Sequence, residues 1–312
     1  MVTEGRTLFA DTSKPAANPH GAPVRIRVPR GADAAEIAQI LEDRGVISDA
    51  GRFRGYAKSQ DEGSAFRAGV YHLVAGSDWD ALISRLDAGP PAPAATRLVI
   101  PEGFRLTEIQ ARLRSVGIDG RAWAKAVEAA VPPPGFGHHV NMEGFMFPAT
   151  YDVRPHESAQ ALVAQQLDAF RQNVAQVDMG YAKAHNLSPY DVLIIASMIE
   201  REAKVPGDRP KVASVIYNRL HRGMQLGIDA TILYHLGSWS APIHQSDLDS
   251  LEPYNTRTHK GLPPTPICNP GLASLQAAAH PAATSYLYYV AIPGKSAQYF
   301  TASYQDFLAH GG

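Results

Sequence analysis

The chain lacks most of the features that settle a function quickly. It has one cysteine, Cys268, in 312 residues. No intrachain disulfide can form, which excludes a disulfide-stapled scaffold without fixing the compartment. The twelve histidines are scattered, with no HExxH pattern and no Cys/His cluster, so nothing points to a metal site. Charged residues make up only 19% of the chain and nearly cancel, leaving a net charge of -1. That balance excludes the basic footprint of a nucleic-acid binder or of a protein adsorbed on an anionic membrane. The longest uncharged apolar run, Val192–Ile199, falls far short of the ~20 residues a membrane span needs. Met1 to His20 holds no apolar core of a signal peptide. The expectation is a soluble protein with room for about two domains.

What is present divides into three stretches. Residues 1–23 are polar, carry Pro15 and Pro19, and have no periodicity, as in a disordered leader or tether. Residues 24–93 begin with the alternating Val24-Arg25-Ile26-Arg27-Val28, a strand, then a Pro29-Arg30-Gly31 turn and a helix over 34–44. A second helix capped by Ser48, a strand at 70–74 and a helix started by Ser77 complete this part, before a proline-rich linker at 89–93. Residues 94–312 open by repeating that beginning. Arg97 to Gly103 with Glu108-Ile109 and Leu113 matches Arg25 to Gly31 with Glu36-Ile37 and Leu41, at an offset of 72. Such strand–helix–helix–strand units resemble LysM modules, which bind N-acetylglucosamine polymers; a packing subdomain without ligand explains the pattern equally.

Further on, Glu143 to Val153 is dense in aromatics with a carboxylate near each end, Glu143 and Asp152, as a sugar-stacking wall or simply as core. A helix follows from Ser158 to Val174. The helix that dominates the chain starts at Ser188 (N-cap) and Pro189 (first turn) and is apolar nearly all round from Val192 to Ile199, which places it inside a domain. It ends in Glu200-Arg201-Glu202. Glu200 shares a face with Ala196 and Ser197, where neighbours can approach closely, while Glu202 lies roughly 200° around the axis, so the two carboxylates cannot share one cleft. A lone carboxyl among apolar neighbours at a helix end suits a general acid; it also suits ordinary solvation of a helix terminus. Pro210 begins the next helix, Asp229 is placed as the cap of a short one, Ser246 as the cap of another, and Asn269-Pro270-Gly271 opens a helix to Ala279. The proline-rich stretch 252–267 is irregular. A strand pair over 286–301 and a helix capped by Ser303 close the chain.

Taken in order, these stretches resemble the membrane-anchored endolytic murein transglycosylases, the MltG or YceG-like family. The resemblance rests on Glu143 to Tyr151, Ile195 to Glu202, Val212 to Leu220, Met224-Gln225-Leu226 with Asp229, Tyr254-Asn255-Thr256, Gly261 to Pro264, Asn269-Pro270-Gly271 and Ala277 to Pro281. It implies an α+β protein: a small LysM-like β/α module over 24–93, then a larger, mainly helical, lysozyme-like catalytic domain with short strands over 94–312. It implies Glu200 as the acid/base of a lytic transglycosylase that cuts the β-1,4 bond between N-acetylmuramic acid and N-acetylglucosamine, leaves 1,6-anhydro ends and limits nascent strand length. Asn218, Tyr254, Asn255, Thr256 and Glu143 are the implied substrate-binding residues, with no cofactor or metal. The implied partners are peptidoglycan glycan strands and synthases of the penicillin-binding-protein type, at the periplasmic face of the inner membrane. The anchor of that family is not in this chain, and Arg257 stands where an aromatic is expected. Two other readings stay open: a two-carboxylate glycoside hydrolase using Glu143 or Asp152, and a non-catalytic cell-wall binding or scaffold protein.

Overall fold

The alternating stretch near the start forms strand β1 (Pro23–Val28), followed by helices α1 (Ala34–Asp43) and α2 (Ala50–Ser59), strand β2 (Gly69–Val74) and helix α3 (Trp79–Ala88). The computed structural model describes residues 14–18, 21–60, 66–91, 94–137 and 141–311, in two compact units that divide between Pro93 and Ala94. In the first unit β1 and β2 pair antiparallel, Arg25 opposite His72. The inward side chains of this ladder, Ile26, Val28, Tyr71 and Leu73, meet Ile37 and Leu41 of α1, Phe53 of α2 and Trp79 of α3 in a core of their own. The helix starts differ by one residue from the sequence expectation. Asp49 rather than Ser48 caps α2, and Asp78 rather than Ser77 caps α3, each carboxylate accepting first-turn N–H groups. A carboxylate outcompetes the serine before it because it also complements the helix dipole. Of the leader, residues 1–13 and 19–20 lie outside the described residues. Within 14–18, Lys14 Nζ lies 3.0 Å from Asp78 and 2.5 Å from Asp80, and Asn18 N–H donates to Gly76 O at 2.7 Å.

The second unit opens with β3 (Thr96–Val99), α4 (Leu106–Arg112), α5 (Gly120–Glu128) and β4 (Thr150–Val153), and β3 pairs antiparallel with β4. This is the same strand–helix–helix–strand order as β1–α1–α2–β2. Matched positions do matched work: Ile37 and Ile109, Leu41 and Leu113 are buried, and Gly31 and Gly103 turn the chain at φ +82° and +78°. Helices α6 (Ala159–Val174), α7 (Gly180–Ala184), α8 (Pro189–Glu202), α9 (Arg209–His221), α10 (Asp229–His235), α11 (Gln245–Leu248) and α12 (Leu272–Ala279) follow, then a hairpin of β5 (Tyr288–Ala291) and β6 (Gln298–Thr301), and α13 (Tyr304–Ala309). The unit is therefore mixed helix and strand, dominated by helices.

Helix α8 is its axis. Ser188 and Asp191 form a reciprocal capping box with Pro189 in the first turn, and every residue from Val192 to Ile199 is buried. Helices α9, α10 and α12 pack around it. The alanines of α12, Ala277, Ala278 and Ala279, are buried in the same core and let its backbone come close. Two expected caps are corrected here. Ser246 lies inside α11, whose cap is His244, and Asp229 is the first residue of α10 after the cap position Ile228. Asp229 instead holds Arg257 at 2.7 Å, so the arginine found in place of an aromatic has an ion-pair partner. Among the described residues, no helix is long and apolar enough to cross a membrane.

Candidate active site

The close face of α8 leads to the site. Ser197 Oγ accepts from Ile267 N–H at 3.0 Å, and Cys268 Sγ–H donates to Ser197 O at 3.3 Å. These bonds lay the 267–271 segment along the end of the helix. One turn on from Ala196, the Glu200 side chain is only 8% exposed. Its Oε2 accepts the Gly271 N–H at 3.0 Å, and Arg209 Nη2, from the first turn of α9, lies 3.8 Å from Oε1. Arg209 is itself steered by Ser274 Oγ at 3.2 Å. Glu202 points elsewhere, as the helix geometry requires: its carboxylate takes the Tyr289 hydroxyl at 3.2 Å, and burial pushes it above the usual carboxylate range.

A second carboxyl enters from outside the helix. The Pro101-Glu102-Gly103 turn after β3 is tied to the same segment: Gly103 N–H donates to Asn269 O at 2.9 Å, and Asn269 donates to Phe104 O through both its backbone N–H and its Nδ2. Glu102 thereby lies against Gly271, where a methyl group on the glycine would sit 1.8 Å from Glu102 Oε1. Gly271 φ is -78°, so the glycine is required by this close approach and not by backbone conformation. Glu102 is exposed, and burial on one side together with the neighbouring Glu200 charge raises its carboxyl, against the pull of Arg209. Arg201 packs beneath the same turn, its Nη1 3.1 Å from the place of a Gly103 Cβ, and its guanidinium lies 3.9 Å from the centre of the Trp239 ring. Arg105 covers Trp239 as well, at 4.9 Å, and Trp239 Nε1–H donates to Glu108 at 3.1 Å.

Glu143 sits behind this arrangement at 3% exposure. It accepts from Leu106 N–H at 3.1 Å, from Asn269 Nδ2 at 2.9 Å and from the Tyr234 hydroxyl at 3.4 Å. Burial pushes its carboxyl up to about 8 in spite of these donors. Asn269 is thus the hub, linking Glu143, the 102–104 turn and the irregular segment at Met146, whose N–H it accepts at 2.8 Å. Tyr254 is half-buried, its hydroxyl 2.8 Å from Thr265 Oγ1 and its ring 5.0 Å from that of Tyr234.

The other residues marked by the sequence use their polar atoms on the chain itself. Asn218 donates to Thr284 O and Tyr286 O, both at 2.9 Å, and fixes the approach to β5. Asn255 is buried and donates to the carbonyls of Asp247, Leu248 and Ser250, while Thr256 Oγ1 accepts from Ile228 N–H at 2.9 Å. Asp152 is exposed on β4 opposite Arg97. Sequence reasoning passed over Glu102, Arg209 and Trp239. The signal for Glu102 was available in the repeated Pro-x-Gly turn, where Arg30 occupies the equivalent place. A surface hollow of about 830 Å³ between α4 and α5 includes Gln110, Arg114 and Arg121 and shares no residue with the described surroundings of Glu200.

The chain is similar to known proteins over most of its length. The model of the YceG-like family matches residues 26–311. The chain is 33% identical to an endolytic murein transglycosylase of Bacillus subtilis, covering 86% of this chain and 78% of that protein. It is 28% identical to a protein of the same name from Streptococcus pneumoniae, covering 91% of this chain and 57% of the relative, so it spans little more than half of the pneumococcal protein. The crystal structure of a YceG-like protein from Listeria monocytogenes is 30% identical, with a TM-score of 0.61 over 93% of this chain and 99% of that one.

Proposed function

From the fact that this chain belongs to the YceG-like family, we propose that it is an endolytic murein transglycosylase with Glu200 as its acid/base. The observation that carries this is the setting of Glu200: a carboxyl at the end of a buried helix, 8% exposed and held between the Gly271 N–H and Arg209. A transglycosylase needs one such group, because the nucleophile belongs to the substrate. Glu200 gives its proton to the oxygen leaving C1 of N-acetylmuramic acid as the C1–O4 bond breaks, and the substrate's N-acetyl carbonyl steadies the positive charge at C1. The Glu200 carboxylate then takes the proton of the 6-hydroxyl as O6 closes on C1. The product is a 1,6-anhydro ring and the residue returns to its starting state. Tyr254 offers a part-exposed ring to a sugar face. Asn218, Asn255, Thr256 and Glu143 support the site indirectly, through the backbone that the bonds described above hold in place.

The wider reading follows the family. Cleavage within nascent strands limits their length, beside synthases of the penicillin-binding-protein type and on the periplasmic side of the inner membrane. The β1–α1–α2–β2 unit is LysM-like and binds glycan, and the helical remainder is lysozyme-like. One second reading has an observation in its favour. Glu102 beside Glu200 makes a carboxyl pair of the sort that hydrolases use, a better candidate than Glu143, whose oxygens are taken by buried donors. Digestion of purified sacculi with mass analysis of the products decides. We expect 1,6-anhydro ends; hydrated reducing ends would establish hydrolysis, and no release would remove the enzymatic reading.

A further inference from the structure

Three arginines gather at the end of α8, and they are not equally occupied. Arg209 lies 3.8 Å from Glu200 and Arg105 lies 3.4 Å from Glu108. Arg201 pairs with no carboxylate among the described residues, and its N–H groups reach no acceptor there. It meets Trp239 instead, with its guanidinium carbon 3.9 Å from the centre of the ring. The indole is itself pinned, because its Nε1–H donates to Glu108 at 3.1 Å and Arg105 lies 4.9 Å from the ring centre. Arg201 is half-buried and stands next to the acid/base. The place of a Cβ on Gly103 is 3.1 Å from Arg201 Nη1 and 3.6 Å from Glu200 Cγ, so the two side chains flank one glycine. A guanidinium laid on an aromatic face has given up hydration and rotamer freedom in advance, and it keeps a planar fork of donors for an anion. The chain supplies no such anion at this place.

We infer that Arg201 is a specificity-determining residue that takes a carboxylate of the substrate, on the branch that muramic acid carries at C3. This rests on the reading of the chain as an enzyme of murein glycan. The chemistry of that substrate selects the ligand. Its hydroxyl and acetamido groups are uncharged, so the sugars alone offer nothing to a prepared cation. The C3 branch does: it ends in the lactyl carboxylate or, where the lactyl group is joined to a peptide, in the carboxylates of that peptide. C3 belongs to the same ring as the C1 that Glu200 serves. A group that reads the branch therefore has to stand near the acid/base, and Arg201 is its neighbour both along α8 and at Gly103. The other two arginines are already committed, Arg209 to Glu200 and Ser274, and Arg105 to Glu108. Two parallel N–H groups of one guanidinium match a carboxylate, which a lysine in the same place would meet only as a point charge.

The test compares kcat/KM on three preparations of purified glycan strands: with peptides intact, with every peptide carboxyl converted to an amide by carbodiimide and ammonia, and stripped of peptide by an amidase, which leaves the lactyl carboxylate. The wild type should cleave intact strands about tenfold better than amidated ones, the worth of one charge-assisted hydrogen bond. Arg201→Gln should lose that factor on intact strands and match the wild type on amidated ones. Arg201→Lys should fall between, and it reads the same comparison if Arg201→Gln does not fold, as judged by circular dichroism. Stripped strands identify the source. A wild-type advantage over Arg201→Gln that persists there assigns the lactyl carboxylate, and its disappearance assigns a carboxylate of the peptide. A wild type indifferent to amidation would overturn the inference. So would an Arg201→Gln slowed equally on all three preparations, which marks a packing role beneath Trp239. Hydrated product ends or an active Glu200→Gln would strike the transglycosylase reading and leave this comparison standing. If nothing were cleaved, binding of the same preparations by Glu200→Gln would carry the comparison without turnover.

Discussion

Three carboxyls near the end of α8 receive three different environments, and each predicts a different phenotype. Glu200→Gln keeps the bond from Gly271 geometrically possible but removes the titrating proton, so cleavage should fall by about 10⁴-fold or more, at or beyond the upper end of what general acid/base catalysis contributes, with folding nearly unchanged. Glu202→Gln, on the Tyr289 side of the helix, should cost far less; comparable losses in sacculus digestion would show that the two are not separated as the helix places them. Glu143 is a matter of stability. Its carboxyl is pushed from 4.5 up to about 8 by burial, so between those values the folded protein retains a proton that the unfolded chain has released. The stability from neutral Glu143 is full below about pH 4.5 and is lost as pH rises through about 8. Glu143→Gln mimics the protonated form permanently. Relative to wild type, it should gain at least about 1 kcal/mol in unfolding free energy between pH 5 and pH 8, read by urea denaturation at the two pH values. A constant difference across that range would contradict the assignment.

At the scale of elements, the strongly periodic helices were legible and the junctions were not. Helix α8 could be read from Val192 to Ile199 and its cap from Ser188-Pro189, because local pattern and tertiary burial agree there. The same agreement gives a prediction: Ser188→Ala should cost about 1 kcal/mol through the lost cap, and Ile195→Ala about 2–5 kcal/mol through a cavity, both measured by chemical denaturation. If Ser188→Ala were the costlier, the helix would owe its stability to its end and not to its packing. Helix α5 escaped notice because its apolar stripe is short, Trp123, Ala126 and Val127, and sits between a turn and a proline-rich break. The caps of α2, α3 and α11 were each misplaced by one or two residues, since adjacent Ser, Asp and His all offer an acceptor and only the backbone angle at each position selects one. The site was half legible. Glu200 belongs to a local pattern, whereas Glu102 gains its meaning from the bond between Gly103 N–H and Asn269 O, a contact between distant stretches that no periodicity encodes.

For the whole molecule, the decisive fact is that each unit closes a core of its own. Ile26, Leu41, Phe53, Tyr71 and Trp79 belong to one buried cluster, and Leu98, Phe145, Ile195 and Ile216 to another. The sequence between α3 and β3 contains Pro90, Pro91 and Pro93, the composition of a linker. A chain of residues 94–312 should therefore fold alone and show, in calorimetry, one of two transitions seen for the full protein. It should also retain the rate of glycan cleavage, because Glu102, Glu200, Arg209, Asn269 and Gly271 all lie within it. The first unit can then matter only through binding. If the β1–α1–α2–β2 unit holds glycan, its removal should raise KM for long strands and leave kcat in place, since binding that is equal in ground and transition states acts on KM alone. Unchanged KM on long and short strands would leave it as a packing unit without ligand. A fall in kcat with KM constant would instead mean that the two cores are not independent and that the second needs the first to hold its site in shape.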